Sequence, residues 1–278
     1  MLNLTLKSLL TSLILTSVVV SPNTFAQNSS SNELSLQQVL EGPHRSPRSI
    51  ARNRSRHPIE TLQFFGLRRN MTLIEIGPSG GWYTEILAPY MRDRGRYYGA
   101  HFSPNTENSF QRKNLEAFEA KLTANPFMYG KALIRHLQPP NETKIGPEEG
   151  ADIALTFRNV HNWMSRGLEQ EFFDAFFENL KPGGVLGVVE HRAPDSTGRQ
   201  EMIDTGYVSE AYVKQIAESA GFEFVASSEI NANAKDTKDH PEGVWTLPPN
   251  FRAGDVDQEK YAAIGESDRM TLKFRKPE

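Results

Sequence analysis

The stretch LIEIGPSGGWYTEILAP, residues 73 to 89, restricts the fold more than any other part of the chain. An apolar run of strand length carries an acid, Glu75, near its end; the turn GPSGG follows, and a helical pattern begins near Trp82. Gly77 and Gly81 permit a tight turn and close backbone approach. The helix behind them offers unpaired N–H groups and the positive end of its dipole. A strand, loop and helix joined in this way hold a polar ligand at the carboxyl edge of an α/β sheet.

The rest of the chain agrees with such a sheet. Strand patterns at 72–76, 96–102, 131–136, 152–157 and 185–190 alternate with helical patterns at 82–91, 107–124, 168–180 and 209–220. That alternation predicts a Rossmann-like, open, mostly parallel sheet with helices on both faces. Two further strands, 222–230 and 268–276, have only a long polar, proline-rich loop between them, which predicts an antiparallel last pair and seven strands in all. Upstream, ELSLQQVLEG reads as a short helix stopped at Gly42, and HPIETLQFFGL as a helix from Pro58 to Phe65.

The first residues have the pattern of a secretory leader: Lys7, an apolar run from Leu9 to Val20, Pro22, then Thr24 and Ala26 at the positions preceding cleavage. The expected organisation is a leader over 1–26 cut after Ala26, a linker and short helix over 27–43, and one domain over 44–278. Export, with a periplasmic location and no stable membrane span after leader removal, follows from that reading. The absence of cysteine is consistent with it and excludes thiolate metal sites. A formal net charge of −3 gives no general affinity for nucleic acid. One segment, HRSPRSIARNRSRH, carries five arginines and no acid. Arg45, Arg48, Arg52 and Arg56 recur at spacings that fit one helix face, which is either solvated or used to grip an anion.

The spacing of the glycine loop does not match a dinucleotide fingerprint, because Ser79 and Trp82 stand where its second and third glycines belong. GPSGG also matches G-x-S-x-G, but no acid and histidine complete a hydrolase triad in a recognisable order. With Glu75 two residues ahead of Gly77, the stretch instead resembles the first motif of class I S-adenosylmethionine-dependent methyltransferases. RHPIETLQFFGL, DIALTFRNVHNWM, LKPGGVLGVVEHRAP and GESDRMTLKFRKP are similar, in that order, to a subgroup of bacterial predicted methyltransferases, so the resemblance runs from about residue 45 to the end. It implies S-adenosylmethionine as cofactor and a small-molecule acceptor. It also places Glu75, Gly77, Pro78, Ser79, Gly81, Tyr83, His101, Arg158 and Asn159 around the cofactor. The second strand departs from the family pattern: it ends in YYGAHFSP, without the acid that usually meets the ribose.

For chemistry, His161 and His191 stand at strand ends on the ligand side, and histidine suits proton transfer near neutral pH. His161, Asn162 and His191 are the catalytic candidates. The Asn-Pro-Pro-aromatic signature of amino-methylating enzymes is missing, and no metal-ligand spacing is visible. The basic segment 44–66 and the loop 231–267 are expected to cap the site. The alternative reading is an exported binding or scaffold protein that keeps the fold without catalysis.

Overall fold

The computed structural model describes residues 33–278, which form one compact unit from Glu33 to Glu278. The expected leader and the first residues of the linker lie outside the described residues. Four short helices come first: α1 (Leu36–Leu40), α2 (Pro47–Ala51), α3 (Asn53–Arg56) and α4 (Pro58–Phe65). The alternating part runs β1 (Thr72–Ile76), α5 (Thr84–Met91), β2 (Arg96–His101), α6 (Ser109–Ala124), α7 (Pro126–Tyr129), β3 (Leu133–His136), β4 (Ala151–Phe157), α8 (Val160–Met164), α9 (Glu169–Asn179) and β5 (Leu180–Ala193). It continues through α10 (Arg199–Thr205), β6 (Val208–Ser209), α11 (Glu210–Ser219), β7 (Glu223–Ser228), α12 (Gln258–Ile264) and β8 (Arg269–Arg275).

The strand order is β3-β2-β1-β4-β5-β8-β7, with the two-residue β6 added beside β5. All pairings are parallel except those of β8, which runs antiparallel to both β5 and β7. The Rossmann-like sheet and its antiparallel end are as expected; β6 is an eighth strand too short to leave a pattern in sequence.

Parallel strands covered on both faces are apolar throughout, and β1 is buried at all five positions. The pleat sends its side chains alternately to two cores. Ile74 and Ile76 join Phe172, Phe173 and Phe176 of α9, while Leu73 joins Phe65, Ile86, Leu87 and Phe118 on the opposite face. Glu75 therefore points to the α5 face, which decides what it meets below.

Three sequence expectations need correction. The basic segment is not one helix: Ser46 caps α2 with Pro47 in its first turn, the chain bends at Arg52, and α3 ends at His57 in a left-handed conformation. Residues 231–267 are not free of helix, since they hold α12 and a 3₁₀ turn over Gly243–Thr246. His161, expected at a strand end, lies instead in α8, which starts three residues after β4 ends.

Among the described residues no helix is long and apolar enough to cross a membrane.

At Gly187, in the middle of β5, an added Cβ would come within 2.6 Å of Leu155 Cδ2 and 2.8 Å of Phe65 Cδ1. Packing of α4 onto the sheet depends on that gap. Gly187→Ala is expected to cost about 1–3 kcal/mol of stability, read as a lower midpoint in denaturant at unchanged slope; an unchanged midpoint would show that α4 can shift without loss.

Candidate active site

The sheet order reverses between β1 and β4, so the chain leaves their carboxyl ends in opposite directions and a crevice opens there. A cavity of about 370 Å³ occupies it. Glu75, Gly77, Pro78 and Ser79 line it from the glycine loop, and Tyr83 from the turn into α5. Arg158, Asn159, His161 and Asn162 line it from the end of β4 and α8, and His191 from β5. Ten of the twelve residues expected at the site thus surround one space.

Gly81 and His101 do not reach it. Gly81, at φ +77°, lies close to Phe118, where a Cβ would approach to 3.3 Å, so it serves the packing of the loop. His101 turns back under the loop: Nε2 lies 3.2 Å from the Ser79 carbonyl and Nδ1 accepts from the Phe102 N–H at 2.9 Å. Both ring nitrogens are occupied within the protein, and burial pushes this histidine down to about 4.

The loop is held open from three sides. Gly77 is left-handed at φ +61°, and a Cβ there would strike the Asn159 amide at 2.8 Å. Asn159 Nδ2 in turn donates to the carbonyls of Ile76 and Gly77 and to Thr156 Oγ1, tying the β1 loop to the β4 loop. Ser79 holds φ +50° without being glycine, and Arg158 holds φ +63°; strain of this kind concentrates at functional sites. At Gly80, which is exposed, a Cβ would meet nothing within 4 Å.

Glu75 is buried and receives hydrogen bonds on Oε2 from Tyr97 Oη at 2.6 Å and Thr84 Oγ1 at 2.8 Å. Burial nevertheless raises its carboxyl to about 7, outweighing both donors.

On the other wall, Glu190 is fully buried and collects three N–H donors: Val160 N at 2.6 Å, His191 N at 2.8 Å and His161 Nδ1 at 3.1 Å. A carboxylate can only accept, so Nδ1 of His161 carries a proton, and in the neutral ring Nε2 is the nitrogen that presents its lone pair. Nε2 has no partner among the described residues, and His161 lines the cavity. His191 Nδ1 meets Ser267 Oγ at 2.5 Å; burial first, then His161 and Arg158, hold its pKa well below the ordinary histidine range, so it is neutral. No metal-ligand spacing was visible in sequence, yet His161, Glu190 and His191 bring donor atoms within 4.8 Å of one another across β5 and α8. Glu190 already has three N–H partners in this arrangement, which makes it an orienting acceptor.

Sequence reasoning expected the segments 44–66 and 231–267 over the site but named none of the residues of the far wall. Trp245, Leu247, Pro248, Pro249 and Asn250 come from the 231–267 segment, Phe110 from α6, and Arg56 and Glu266 meet across the opening. Arg56 is 1% exposed, and both it and Arg45 place their guanidinium carbons over the Trp82 ring at 4.4 and 4.9 Å. The even spacing of arginines was legible, but which of them turn inward was not: Arg48 and Arg54 are exposed. Glu266 takes Arg52 at 2.6 Å, Arg269 at 2.8 Å and Arg56 at 3.4 Å. Burial opposes its ionisation, but Arg269 and the hydrogen bond from Arg52 hold the carboxyl down at about 2.

The raised Glu75 carboxyl has a measurable consequence. Its folded value lies above the unfolded one, so the native state binds the extra proton between about pH 4.5 and 7, and its ionisation lowers stability as pH rises through that window. Buried histidines act in the opposite sense below about 6.5, so the comparison must be with a variant. Relative to Glu75→Gln, the wild type is expected to gain melting temperature steadily from pH 7.5 to 5; a constant difference would mean that Glu75 stays ionised.

No protein-family model matches the chain. No curated protein matches it either. Its likeness is to solved structures. A SAM-dependent methyltransferase from Aquifex aeolicus superposes with a TM-score of 0.53 at 16% identity, over 87% of this chain and 98% of that one. The cyclase SpnF gives 0.52 at 19% identity, over 80% of each chain. The S-adenosylmethionine-dependent methyltransferase SibL gives 0.50 at 12% identity, over 82% of this chain and 56% of the other. At these identities the likeness concerns the fold: the chain has the architecture of class I methyltransferases.

Proposed function

We propose that this chain is an S-adenosylmethionine-dependent methyltransferase that acts on a hydroxyl of a small acceptor. The observation that carries the reading is the His161–Glu190 pair, a proton acceptor held in one tautomer 3.1 Å from its orienting carboxylate and lining the same cavity as the glycine loop. The cyclase among the similar structures shows why the fold alone cannot carry it.

The residues present fit the cofactor. The Gly77–Ser79 turn, the uncapped start of α5 and the adjoining rings of Tyr83 and Phe157 make a cradle for a polar group attached to a flat one. Glu75 and Asn159 would flank it, and His101 would act only indirectly, by holding the Ser79 carbonyl. When bound, S-adenosylmethionine supplies a methyl group on a positively charged sulfur that leaves as a neutral thioether. The protein's own part is to aim the acceptor and to take its proton. His161 Nε2 is the acceptor of that proton, Glu190 stabilises the imidazolium that results, and Asn162 and His191 position the hydroxyl. Trp245 and Leu247–Pro249 keep water from it, as expected for a capping segment. A non-catalytic scaffold would leave the His161–Glu190 pair without work. The leader pattern adds export to the periplasm, where the cofactor must then be supplied from the cytoplasmic side.

Calorimetric titration of S-adenosylhomocysteine into protein beginning at Gln27 tests the cofactor reading. Micromolar binding is expected, and its loss in Gly81→Leu; no binding at millimolar ligand would sink the proposal. His161→Ala is expected to keep that affinity within about twofold while methyl transfer, followed as S-adenosylhomocysteine released, falls by about 10²–10⁴-fold, the usual range for a general base. Undiminished transfer by the alanine variant would remove His161 from the mechanism.

A further inference from the structure

Around the cavity the charges do not balance. Arg52, Arg56 and Arg269 share one carboxylate, Glu266, and Arg158 lines the same cavity; of the other acids, Glu75 is hydrogen-bonded to Tyr97 and Thr84, and Glu190 is committed to three N–H donors of its own. Donors are left over as well. Nη2 of Arg56 and Nη2 of Arg52 are buried without a hydrogen-bond partner. Arg158 is anchored only through its backbone, whose N–H donates to the Val189 carbonyl at 2.7 Å; its guanidinium has no ion pair or hydrogen bond among the described residues and lines the cavity.

Guanidinium donors held away from water are costly until a counter-charge arrives; Arg56 is 1% exposed and Arg158 partly buried, and Arg remains cationic when its neighbours depress its pKa. Here burial, then Arg269, bring Arg158 only to about 10, so it is charged at neutral pH. Burial, then Arg158, likewise lower Arg56. The methyl donor is no remedy, because its sulfonium and ammonium outweigh its single carboxylate and it enters as a cation. Trp245, Leu247, Pro248, Pro249 and Phe110 add apolar surface to a wall that also carries Asn159, Asn162, His161, His191, Asn250 and Ser267.

We propose that the methyl acceptor is a small organic anion, a hydroxylated compound with an apolar body, whose carboxylate or equivalent oxyacid group is held by Arg158 and Arg56. This rests on the methyltransferase reading for what happens at the hydroxyl, but not for the anion site itself. Guanidinium groups present paired N–H donors that match a carboxylate fork. Arg158 follows β4 directly and lies three residues before His161, so an acceptor gripped there presents its nearby hydroxyl to the proton acceptor.

The probe is benzoate, with benzyl alcohol as its uncharged counterpart of the same shape, titrated into the full described chain with and without S-adenosylhomocysteine and read by tryptophan fluorescence, since Trp82 and Trp245 both line the cavity. Benzoate is expected to bind at least tenfold more tightly than benzyl alcohol. Arg158→Gln is expected to remove that preference, to leave S-adenosylhomocysteine affinity within about twofold, and to raise the melting temperature by relieving repulsion among the arginines. Equal binding of the two probes, or binding of neither, overturns the proposal. So does an Arg158→Gln variant that loses S-adenosylhomocysteine affinity while keeping benzoate, which would assign the guanidinium to the cofactor's carboxylate. If benzoate binds as expected but S-adenosylhomocysteine does not, the anion site stands and the methyltransferase reading falls.

Discussion

Between β1 and β4 the sheet changes the direction in which successive strands are laid down, and no connection can cover the gap from below. Whatever closes the crevice must come from elsewhere in the chain. Two segments do so, the amino-terminal α2–α3 stretch and the 231–267 segment ahead of β8, and they meet at Glu266. Its carboxylate accepts from Arg52 and Arg56 of the first and from Arg269 at the start of β8. Without that carboxylate the three guanidiniums repel one another across the mouth of the cavity. Buried ion clusters of this type add little net stability; their effect here is to fix one geometry between distant segments.

The capping segment is not a slack loop, although its length alone suggests mobility. Asp236 is buried and accepts from Tyr207 Oη at 3.0 Å, His240 Nε2 at 2.9 Å and the Asp268 N–H at 2.8 Å. Asn231 joins Thr61 of α4 to Thr271 of β8, both at 2.9 Å. Such satisfied polar networks hold irregular backbone in place where an apolar core is too thin. Trp245 is thereby fixed over the site, 6.0 Å from the His161 ring. The wall that excludes water is set before any ligand arrives.

What the sequence disclosed follows from distance along the chain. The glycine loop was legible because strand, turn and helix are contiguous and each glycine has a local conformational reason. His161 and Asn162 were legible because a parallel sheet puts strand ends and ligand on one side. Glu190 was not recognised as a partner of His161, since in sequence it is one more residue in an apolar strand and becomes an acceptor only when β4 and β5 pair. Arg56 and Glu266 stand 210 residues apart, and no local pattern links them. The acid-free arginine run was the one available signal, and periodicity misjudged it by extending a helix across the bend at Arg52. His101 shows the reverse error: its position at the end of β2 suggested a ligand contact, but the ring is spent on the Ser79 carbonyl.

The same features that make the site costly explain its directionality. Ser79 and Arg158 occupy left-handed backbone, which disfavours residues with a Cβ by about 1–2 kcal/mol each, and four guanidiniums lie around a cavity whose lining acids are Glu266, already bonded to three of them, and the hydrogen-bonded Glu75. A chain selected for stability alone would lose these charges readily, as replacing buried ions by apolar groups is often neutral or favourable. Kept together, they make the cavity electrostatically positive where Arg56 and Arg158 line it. On the proposed methyltransferase reading, a cationic donor in place would strengthen the hold on an anion, and transfer, by leaving a neutral thioether, would weaken it. On that reading the charge imbalance would order entry and release, with the cost borne by the fold.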